Sequence, residues 1–298
     1  MVEVSVCMIT YNHEKYIDRA IQGVLEQDCE YKIELVISND ASTDTTHYRI
    51  LEAIRGNSSK IKIRYINNSE NIGMMANFIQ AIKECKGRYI ALCEGDDYWI
   101  DSYKLQKQVD FLEANTNYAV SFHKVKILKG DKLFRDSVIE ERYENIKKYP
   151  ATVFDLLKHG NFMHTASVVF RNNIRHFPME FKYSPVGDYF LHIINSQYGD
   201  IHRINEVMGV YREGVGIYST LSPEKMTNKI ILYNSCILSY LTHPEQREAL
   251  LRKQLAIVSG LRIFPNRENL SIEGLHNQLS FKNILELLIM KIKNKFTF

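Results

Sequence analysis

The sequence predicts an α/β fold in which a mostly parallel sheet is flanked by helices. Short runs rich in β-branched residues alternate with segments of helical periodicity through the first 115 residues, and this alternation is typical of parallel strands joined by crossover helices. Polar or acidic residues directly follow three of the strands. Because sheets of this kind bind ligands outside the carboxyl ends of their strands, the same pattern predicts a site at that edge.

The first half of the chain supplies four strands and four helices. After the first strand, apolar residues at 17, 20, 21, 24 and 25 mark one face of a helix. A polar turn at 39–42 precedes the second helix, and Gly87 ends the third. We expect strands at 2–10, 33–38, 61–66 and 88–93, and helices from 17, from 43, over 73–85 and over 101–115.

The second half is less regular. It predicts a strand at 118–128, a polar surface loop at 129–149, a helix at 153–158, a strand at 161–171 and a helix that opens at Asp188. From Ser222 onward only helical periodicity remains. We therefore expect a main domain over 1–219, with halves at 1–115 and 116–219, and a C-terminal helical region over 220–298.

Composition and charge limit the class of protein. Hydrophobic residues make up 45% of the 298 residues and charged residues 24%, which is usual for a globular protein. The net charge of +3 is too small to predict nucleic-acid binding. Five cysteines without paired spacing favour a reducing compartment. The start lacks the pattern of a signal peptide, and no apolar run approaches the roughly 20 residues of a membrane span. We expect a cytoplasmic protein that binds no nucleic acid.

Three acidic residues follow the fourth strand, in the stretch CEGDDYW. Residues 94–97 read Glu-Gly-Asp-Asp and come directly after an apolar run. Crowded carboxylates repel one another, and a hard cation such as Mg²⁺ or Mn²⁺ relieves the repulsion while it binds substrate phosphates. A solvated acidic turn that caps the next helix is the alternative. Polar clusters at 10–12 and 39–40, expected at the same sheet edge, favour the cation site.

Two common nucleotide-binding motifs are missing from the sequence. No G-x-G-x-x-G follows the first strand, and G-x-x-x-x-G-K-[ST] does not occur. These absences exclude a dinucleotide-binding fold of the usual kind and a P-loop enzyme.

Four segments together resemble family 2 glycosyltransferases, which have the GT-A fold. They are SVCMITYNHEKYIDRAI, ELVISNDASTD, NIGMMANF and GRYIALCEGDDYW, in this order within the first 115 residues. The resemblance implies that 1–115 is the nucleotide-sugar-binding half, that 116–219 is the acceptor half, and that transfer inverts the anomeric configuration. It further implies a UDP-linked donor and a glycan or lipid-linked acceptor in bacterial cell-surface polysaccharide synthesis.

The resemblance also assigns a donor site. Six positions match family residues that lie against or near the nucleotide: Thr10, Tyr11, Asn12, Asp40, Asn71 and Asn77. Among them, Asp40 matches the acid that accepts a hydrogen bond from uracil. The family's Asp-Asp-Gly-Ser reads Asn-Asp-Ala-Ser here, which leaves the choice of base open.

The family's Asp-x-Asp appears here as Glu94-Gly95-Asp96. Its last acid usually touches the metal, so the resemblance predicts Asp96 as the ligand of Mn²⁺ or Mg²⁺. Glu94 is one methylene longer than the usual Asp and is expected to reach the nucleotide through water or ribose. Gly95 lets a ligand approach the backbone, and Asp97 is expected to support the turn.

Two residues of the second half complete the predicted site. Asp188 matches the residue that serves as the catalytic base in the family. Because it opens a helix, where the helix dipole favours a negative charge, a purely structural role is the alternative. Arg212 belongs to a segment that closes over the nucleotide in the family, but the His that commonly follows is missing. We expect Arg212 to bind the diphosphate, with a buried salt bridge as the alternative.

The last stretch, FKNILELLIMKIKNKFTF, predicts a basic amphipathic helix. Such a helix lies on anionic lipid, or packs on its own domain or on a second subunit. Two further partners therefore stay open, the inner face of the cell membrane and a second copy of the chain.

Two other functions stay open as well. A sugar nucleotidyltransferase also combines an α/β sheet, a metal and a sugar nucleotide, but it would carry a Gly-rich basic loop where residues 11–14 read Tyr-Asn-His-Glu. A non-catalytic relative would bind a glycan or a partner through the same fold, and the missing His and Asn39 are the departures that suggest it.

Overall fold

A computed structural model of the chain describes residues 2–146, 149–216 and 221–260. Within these residues nine strands form one sheet. The strands are β1 (Val4–Thr10), β2 (Ile33–Asn39), β3 (Lys62–Asn67), β4 (Tyr89–Leu92), β5 (Tyr98–Trp99), β6 (Tyr118–Lys129), β7 (Lys132–Arg135), β8 (Val169–Arg171) and β9 (Asp200–Arg212).

The sheet is mostly parallel, as predicted. Its strand order is β3-β2-β1-β4-β8-β6-β9-β5, and β7 pairs with β6. Strands β1 to β4 are parallel to one another, and β9 is parallel to β6. Strands β8, β5 and β7 run antiparallel to their neighbours. The parallel strands of the first half therefore present their carboxyl ends at one edge, and β9 brings a segment of the second half into the same sheet.

Ten α-helices lie among the described residues. They are α1 (Ile17–Leu25), α2 (Thr46–Gly56), α3 (Met74–Glu84), α4 (Lys104–Ala114), α5 (Ser137–Glu144), α6 (Val153–His159), α7 (Met179–Tyr183), α8 (Asp188–Asn195), α9 (Pro223–Tyr240) and α10 (Pro244–Gly260). Because strand side chains alternate between faces, Val4, Val6 and Met8 pack with residues of α1, α2 and α4, whereas Cys7 packs with residues of α3, α6 and α8. The sheet thus has a hydrophobic core on each face.

Most predicted elements lie within two or three residues of the observed ones, but two predictions were wrong. Residues 129–149 are not a loop throughout: Gly130, with φ of 59°, turns the chain back into β7, and the Asp136 side chain caps α5 by accepting from the Ile139 N–H. Residues 161–171 are not one strand, because a single 3-10 turn over Thr165–Ser167 precedes the three residues of β8. Strand β9 was not predicted.

The C-terminal helical region begins as predicted with α9, which starts at Pro223 after the Ser222 cap, and continues with α10. The predicted basic amphipathic helix near the C-terminus lies outside the described residues. Within the described ranges, no helix combines the length and the apolar character that a membrane span requires. All five cysteines are free, and four of them are buried.

Candidate active site

The acidic loop, residues 93–97, leaves the carboxyl end of β4 and is fixed to the end of β1. The Cys93 N–H donates to the Cys7 carbonyl at 3.1 Å, and the Gly95 N–H donates to the Ile9 carbonyl at 3.0 Å. The Asp97 N–H closes a turn onto the Glu94 carbonyl at 3.1 Å. The backbone therefore holds the acidic residues together at the sheet edge that the sequence predicted.

Glu94, Asp96 and Asp97 form one carboxylate cluster. Each contributes an oxygen, and these oxygens all lie within 4.8 Å of one another. Burial raises the pKa of Glu94 to about 8, with further contributions from the charges of Asp96 and Asp188. Burial, followed by Asp96 and Glu94, also holds the pKa of Asp97 well above its usual range. The cluster is thus costly to ionise without a compensating positive charge.

The carboxylate cluster fits a divalent cation. Asp97 Oδ2 is buried and has no hydrogen-bond partner among the described residues. Oxygens that share a Mg²⁺ at about 2.1 Å can be no more than about 4.2 Å apart, so small side-chain shifts would bring three carboxylates within ligand distance. Hard oxygen donors of this kind are those that Mg²⁺ and Mn²⁺ prefer. Asp97, expected to support the turn, closes it through its N–H and also places a carboxylate oxygen in the cluster.

Gly95 allows the loop to approach the end of β1. A Cβ atom at this position would lie 2.8 Å from Thr10 Oγ1 and 2.9 Å from His13 Nδ1, closer than non-bonded atoms come. Both of those polar atoms are buried without a hydrogen-bond partner among the described residues. Unpaired polar atoms beside a carboxylate cluster mark a place where a polar ligand would supply the missing partners.

His13 is a site residue that the sequence analysis missed. Its Nε2 lies 3.9 Å from Asp96 Oδ2, too far for a hydrogen bond. Burial lowers the pKa of His13, against the opposing charges of Asp96 and Asp44. The imidazole therefore faces the carboxylate cluster from the β1 side. Only the approach of the β1 and β4 ends reveals this, since 83 residues separate His13 from Asp96 in the sequence.

Arg212 supports the acidic loop from β9. Its backbone N–H donates to Asp97 Oδ1 at 2.9 Å, and its guanidinium donates to the Asp96 carbonyl. The guanidinium carbon lies 4.9 Å from the Tyr16 ring centroid and 4.6 Å from that of Tyr98. Arg212 therefore lies at the predicted site, where its guanidinium binds the Asp96 carbonyl while its backbone N–H holds the Asp97 carboxylate. Binding of the diphosphate by this side chain stays a prediction.

Asp188 is the first residue of α8 and lies near enough to the cluster that its charge contributes to the raised pKa of Glu94. Its Oδ2 accepts hydrogen bonds from Asn161 Nδ2 at 3.0 Å and from Thr165 Oγ1 at 3.4 Å. The segment predicted as a strand thus supplies two donors that orient this acid. Sequence periodicity carried no signal for either donor.

An aromatic wall stands beside these acids. The rings of His164 and Tyr211 lie 4.6 Å apart, and His164 Nε2 is 2.7 Å from Asp136 Oδ2. Burial raises the pKa of Tyr211, with contributions from the acids of the cluster and Asp188. His164 is thus hydrogen-bonded within the protein.

Hydrogen bonds join the loop after β1, which contains predicted donor-site residues, to the loop after β2. Asn12, with φ of 56°, accepts at Oδ1 from the Thr43 N–H at 2.8 Å, and its own backbone N–H donates to Ser42 Oγ at 2.9 Å. Tyr11 is exposed. Asn12 therefore joins the first two strand exits into one surface.

Asp40 fixes the third polar loop of this edge. Its carboxylate accepts from the Ile72 N–H at 2.8 Å, the Gly73 N–H at 2.9 Å and Asn68 Nδ2 at 3.1 Å. Three of roughly four acceptor sites of this carboxylate are thus occupied within the protein. Asn71 accepts from the same Gly73 N–H at 3.0 Å. One acceptor site of Asp40 is left for a hydrogen bond from a nucleobase, and that hydrogen bond stays a prediction.

Asn77 lies beneath the donor surface rather than on it. The side chain is buried, with Oδ1 accepting from Ser38 Oγ at 2.6 Å and Nδ2 donating to the Ser38 carbonyl at 3.1 Å. Asn68 Nδ2 donates to Asn77 Oδ1 at 3.2 Å and also to the Asp40 carboxylate, so it links these two residues. The structure therefore gives Asn77 an indirect position, and its predicted nearness to the nucleotide remains untested.

The two departures from the family motif have different local effects. Asn39 is buried and bonds on both sides, donating to Asn67 Oδ1 at 2.8 Å and accepting from Ser42. A carboxylate at 39 could not donate to Asn67, so the amide suits its surroundings. Ala41 adopts φ of 55°, a conformation that favours the glycine of the family motif.

The chain matches the family model described as "Glycosyl transferase family 2" over residues 5–177. It is 35% identical to the uncharacterized protein Rv1520 of Mycobacterium tuberculosis over 208 residues, which cover 70% of this chain and 58% of that protein. It is 30% identical to WfgD of Escherichia coli, a UDP-Glc:alpha-D-GlcNAc-diphosphoundecaprenol beta-1,3-glucosyltransferase, over 44% of this chain and 48% of that protein. The chain thus spans about half to three fifths of these relatives.

Two solved structures share the fold. S. aureus TarS in complex with UDP-GlcNAc superimposes with a TM-score of 0.63 at 19% identity, covering 95% of this chain and 78% of TarS. The mannosyltransferase PcManGT from Pyrobaculum calidifontis, in complex with GDP-Man and Mn²⁺, gives a TM-score of 0.58 at 15% identity over 99% and 81% of the two chains. The GT-A fold prediction is confirmed. Since the family model covers more than half of the sequence, this chain belongs to glycosyl transferase family 2.

Proposed function

We propose that the protein is an inverting glycosyltransferase that uses a divalent cation, Mn²⁺ or Mg²⁺, and transfers a sugar from a UDP-linked donor. The acceptor is a glycan or a lipid-linked saccharide in bacterial cell-surface polysaccharide synthesis, and the location is cytoplasmic. One observation carries the proposal: Glu94, Asp96 and Asp97 bring carboxylate oxygens within 4.8 Å of one another at the sheet edge, and Asp188 is near enough for its charge to contribute to the raised pKa of Glu94. The UDP-Glc-dependent activity of WfgD and the complex of TarS with UDP-GlcNAc support the choice of donor.

Asp96 is the proposed first ligand of the cation, with Asp97 Oδ2 and His13 facing the same space. PcManGT, which shares the fold, was solved with Mn²⁺. A cation bound here would neutralise the negative charge that develops on the departing diphosphate. Arg212 keeps the acidic loop in place through the Asp96 carbonyl and Asp97 Oδ1, so the carboxylates hold their positions as charge changes beside them.

The donor nucleoside is expected on the surface formed by Thr10, Tyr11 and Asn12. This surface is rigid because Asn12 joins it to the loop after β2 and Asp40 joins that loop to residues 72–73. A preformed surface lowers the entropy cost of ordering the site when the nucleotide binds. Asn71 and Asn77 act in this proposal by fixing the turn and the helix behind Asp40.

Asp188 is the proposed general base. Both hydrogen bonds that it accepts from described residues reach Oδ2, so Oδ1 is the oxygen that takes the proton of the acceptor hydroxyl. The hydroxyl oxygen then bonds to the anomeric carbon as the bond from that carbon to the diphosphate breaks. Attack from the face opposite the leaving group inverts the configuration in one step.

Calorimetric titration with UDP tests the donor site first. We expect UDP to bind with Mn²⁺ present and to lose most of its affinity in EDTA, and we expect Asp96→Ala to remove the dependence on Mn²⁺. The exposed Asp28, changed to Asn, is the matched control and should titrate like the wild type. UDP binding that is the same with Mn²⁺ and with EDTA would refute the cation site, and failure of UDP to bind at all would refute the proposed donor.

A further inference from the structure

A short hairpin extends from the sheet and carries an unusual concentration of positive charge. Strand β6 continues to Lys129, turns at Gly130 and Asp131, and returns as β7, with Lys126 opposite Arg135 and Lys129 opposite Lys132. We call residues 126–135 the basic hairpin. It contains four cationic side chains and one acidic side chain, that of Asp131.

Two like-charge pairs face each other across the basic hairpin. Residues directly opposite in an antiparallel pair have Cβ atoms about 5 Å apart, and like charges there are destabilising. Glu140 compensates the charge of Arg135 through an ion pair, and Glu213 compensates that of Lys129 at 3.2 Å. For Lys126 and Lys132 the described part of the chain offers no carboxylate within salt-bridge distance. The hairpin therefore leaves positive charge that an external anion would compensate.

The same hairpin exposes large apolar side chains. Leu133 is 50% exposed and Phe134 is 49% exposed. Because they are consecutive in a strand, they point to opposite faces of the hairpin, so no single surface of this protein covers both. Val138, which follows on α5, is 63% exposed. Each face of the hairpin thus combines an apolar side chain with cationic ones.

The basic hairpin stands beside the candidate active site. Leu128, near its base, pairs with Arg212, whose backbone and side chain bond the acidic loop. At about 3.3 Å per residue, the turn at Gly130 lies about 7 Å beyond that pair along the strand. A surface that contacts the tip is therefore close to the carboxylate cluster.

We propose that the basic hairpin docks on an anionic lipid bilayer, with Leu133 and Phe134 entering the headgroup region and Lys126 and Lys132 facing lipid phosphates. A soluble polyanion would satisfy the lysines but would leave both apolar side chains in water, whereas a bilayer interface accepts both kinds of group. The position beside the acidic loop would bring a lipid-linked acceptor near the site, and this last consequence rests on the proposed function.

Vesicle sedimentation of the full chain tests the proposal. We expect binding to phosphatidylcholine vesicles that contain about one-third phosphatidylglycerol, and little binding to phosphatidylcholine alone. The double variant Lys126→Gln/Lys132→Gln should bind the anionic vesicles about 25-fold more weakly, at about fivefold for each lysine. It also removes both like-charge pairs, so it should fold at least as stably as the wild type.

The matched control for charge is Lys60→Gln/Lys62→Gln, at the opposite edge of the sheet, which should bind like the wild type. Leu133→Asn/Phe134→Asn should also weaken vesicle binding by tenfold or more, with Met179→Asn, 69% exposed on α7, as its control. Wild-type vesicle binding by either hairpin variant would overturn the proposal. A lysine effect that appears equally with soluble polyphosphate, without any effect of the apolar changes, would overturn it in favour of a soluble polyanion. Since UDP titration uses no vesicles, the donor-site proposal stands or fails separately.

Discussion

Changing Glu94 to Gln tests whether the carboxylate cluster is as strained as its geometry indicates. In the folded protein the pKa of Glu94 is raised from its ordinary 4.5 to about 8, first by burial and then by Asp96 and Asp188. Between these values the folded protein holds a proton that the unfolded chain has lost, so the stability that this proton supports falls as pH rises from about 4.5 to 8.

The size of this effect follows from the same two values. A pKa moved from 4.5 to about 8 corresponds to at most about 5 kcal/mol. Because part of the Glu94 side chain reaches solvent, we expect about 2–3 kcal/mol after screening. Gln keeps the size of the side chain and does not titrate. The variant should therefore match the wild type near pH 5 and exceed its stability by about 2–3 kcal/mol near pH 8.5.

Urea unfolding in EDTA, followed by circular dichroism at intervals between pH 5 and pH 8.5, measures this difference. Buried histidines and Lys104 titrate in the same range, so the readout is the variant minus the wild type rather than either curve alone. Glu70→Gln, an exposed change, is the control. Added Mn²⁺ should stabilise the wild type at pH 8.5 more than the variant, since the cation compensates the charge. Parallel curves for the two proteins across this range would refute the account of the cluster.

Three further changes test other parts of the description. Asp188→Asn should slow transfer by about 10²–10⁴-fold while the affinity for UDP with Mn²⁺ changes little, and wild-type turnover in a donor-consumption assay would remove Asp188 as the base. Burial lowers the pKa of the Lys104 ammonium to about 7, so Lys104→Met should raise the free energy of unfolding by about 2–4 kcal/mol at pH 6. This gain should shrink as pH rises from 7 towards 10, and a variant that is less stable than the wild type at pH 6 in urea unfolding would contradict the reasoning. Ala41→Gly should leave stability unchanged within about 0.5 kcal/mol or raise it, since relief at φ of 55° offsets the entropy cost of glycine, whereas Ala53→Gly, inside α2, should cost about 1 kcal/mol in the same thermal unfolding experiment.

Local patterns predicted the elements whose partners are close in sequence. Strands β1 and β2 are almost fully buried, and their runs of β-branched residues stand out without any knowledge of the fold. Strand β9 gave no such signal, because its burial changes along its length and its pairing with β6 crosses register shifts. Its last residue, Arg212, came only from the family resemblance.

The candidate site divides in the same way. The carboxylates at 94–97 were predictable because three acids follow an apolar run at the end of a predicted parallel strand, beside polar clusters expected at the same sheet edge. His13, Asn161 and Thr165 were not, since each is an ordinary polar residue until folding brings it to the cluster or to Asp188. Spacing along the chain cannot report contacts that depend on where two strands end.

The hydrogen bonds from Arg212 to the acidic loop can form only after the second half of the chain has been synthesised as far as Arg212. The loop and the backbone N–H that holds Asp97 are separated by 115 residues of sequence. At about 5–20 residues per second, a ribosome needs about 6–23 s to add that length. During this interval the nascent chain carries three crowded carboxylates without the strand that later fixes them. The final geometry of the carboxylate cluster, the proposed cation site, is therefore a late product of translation, although its three acids are among the first third of the residues to be made.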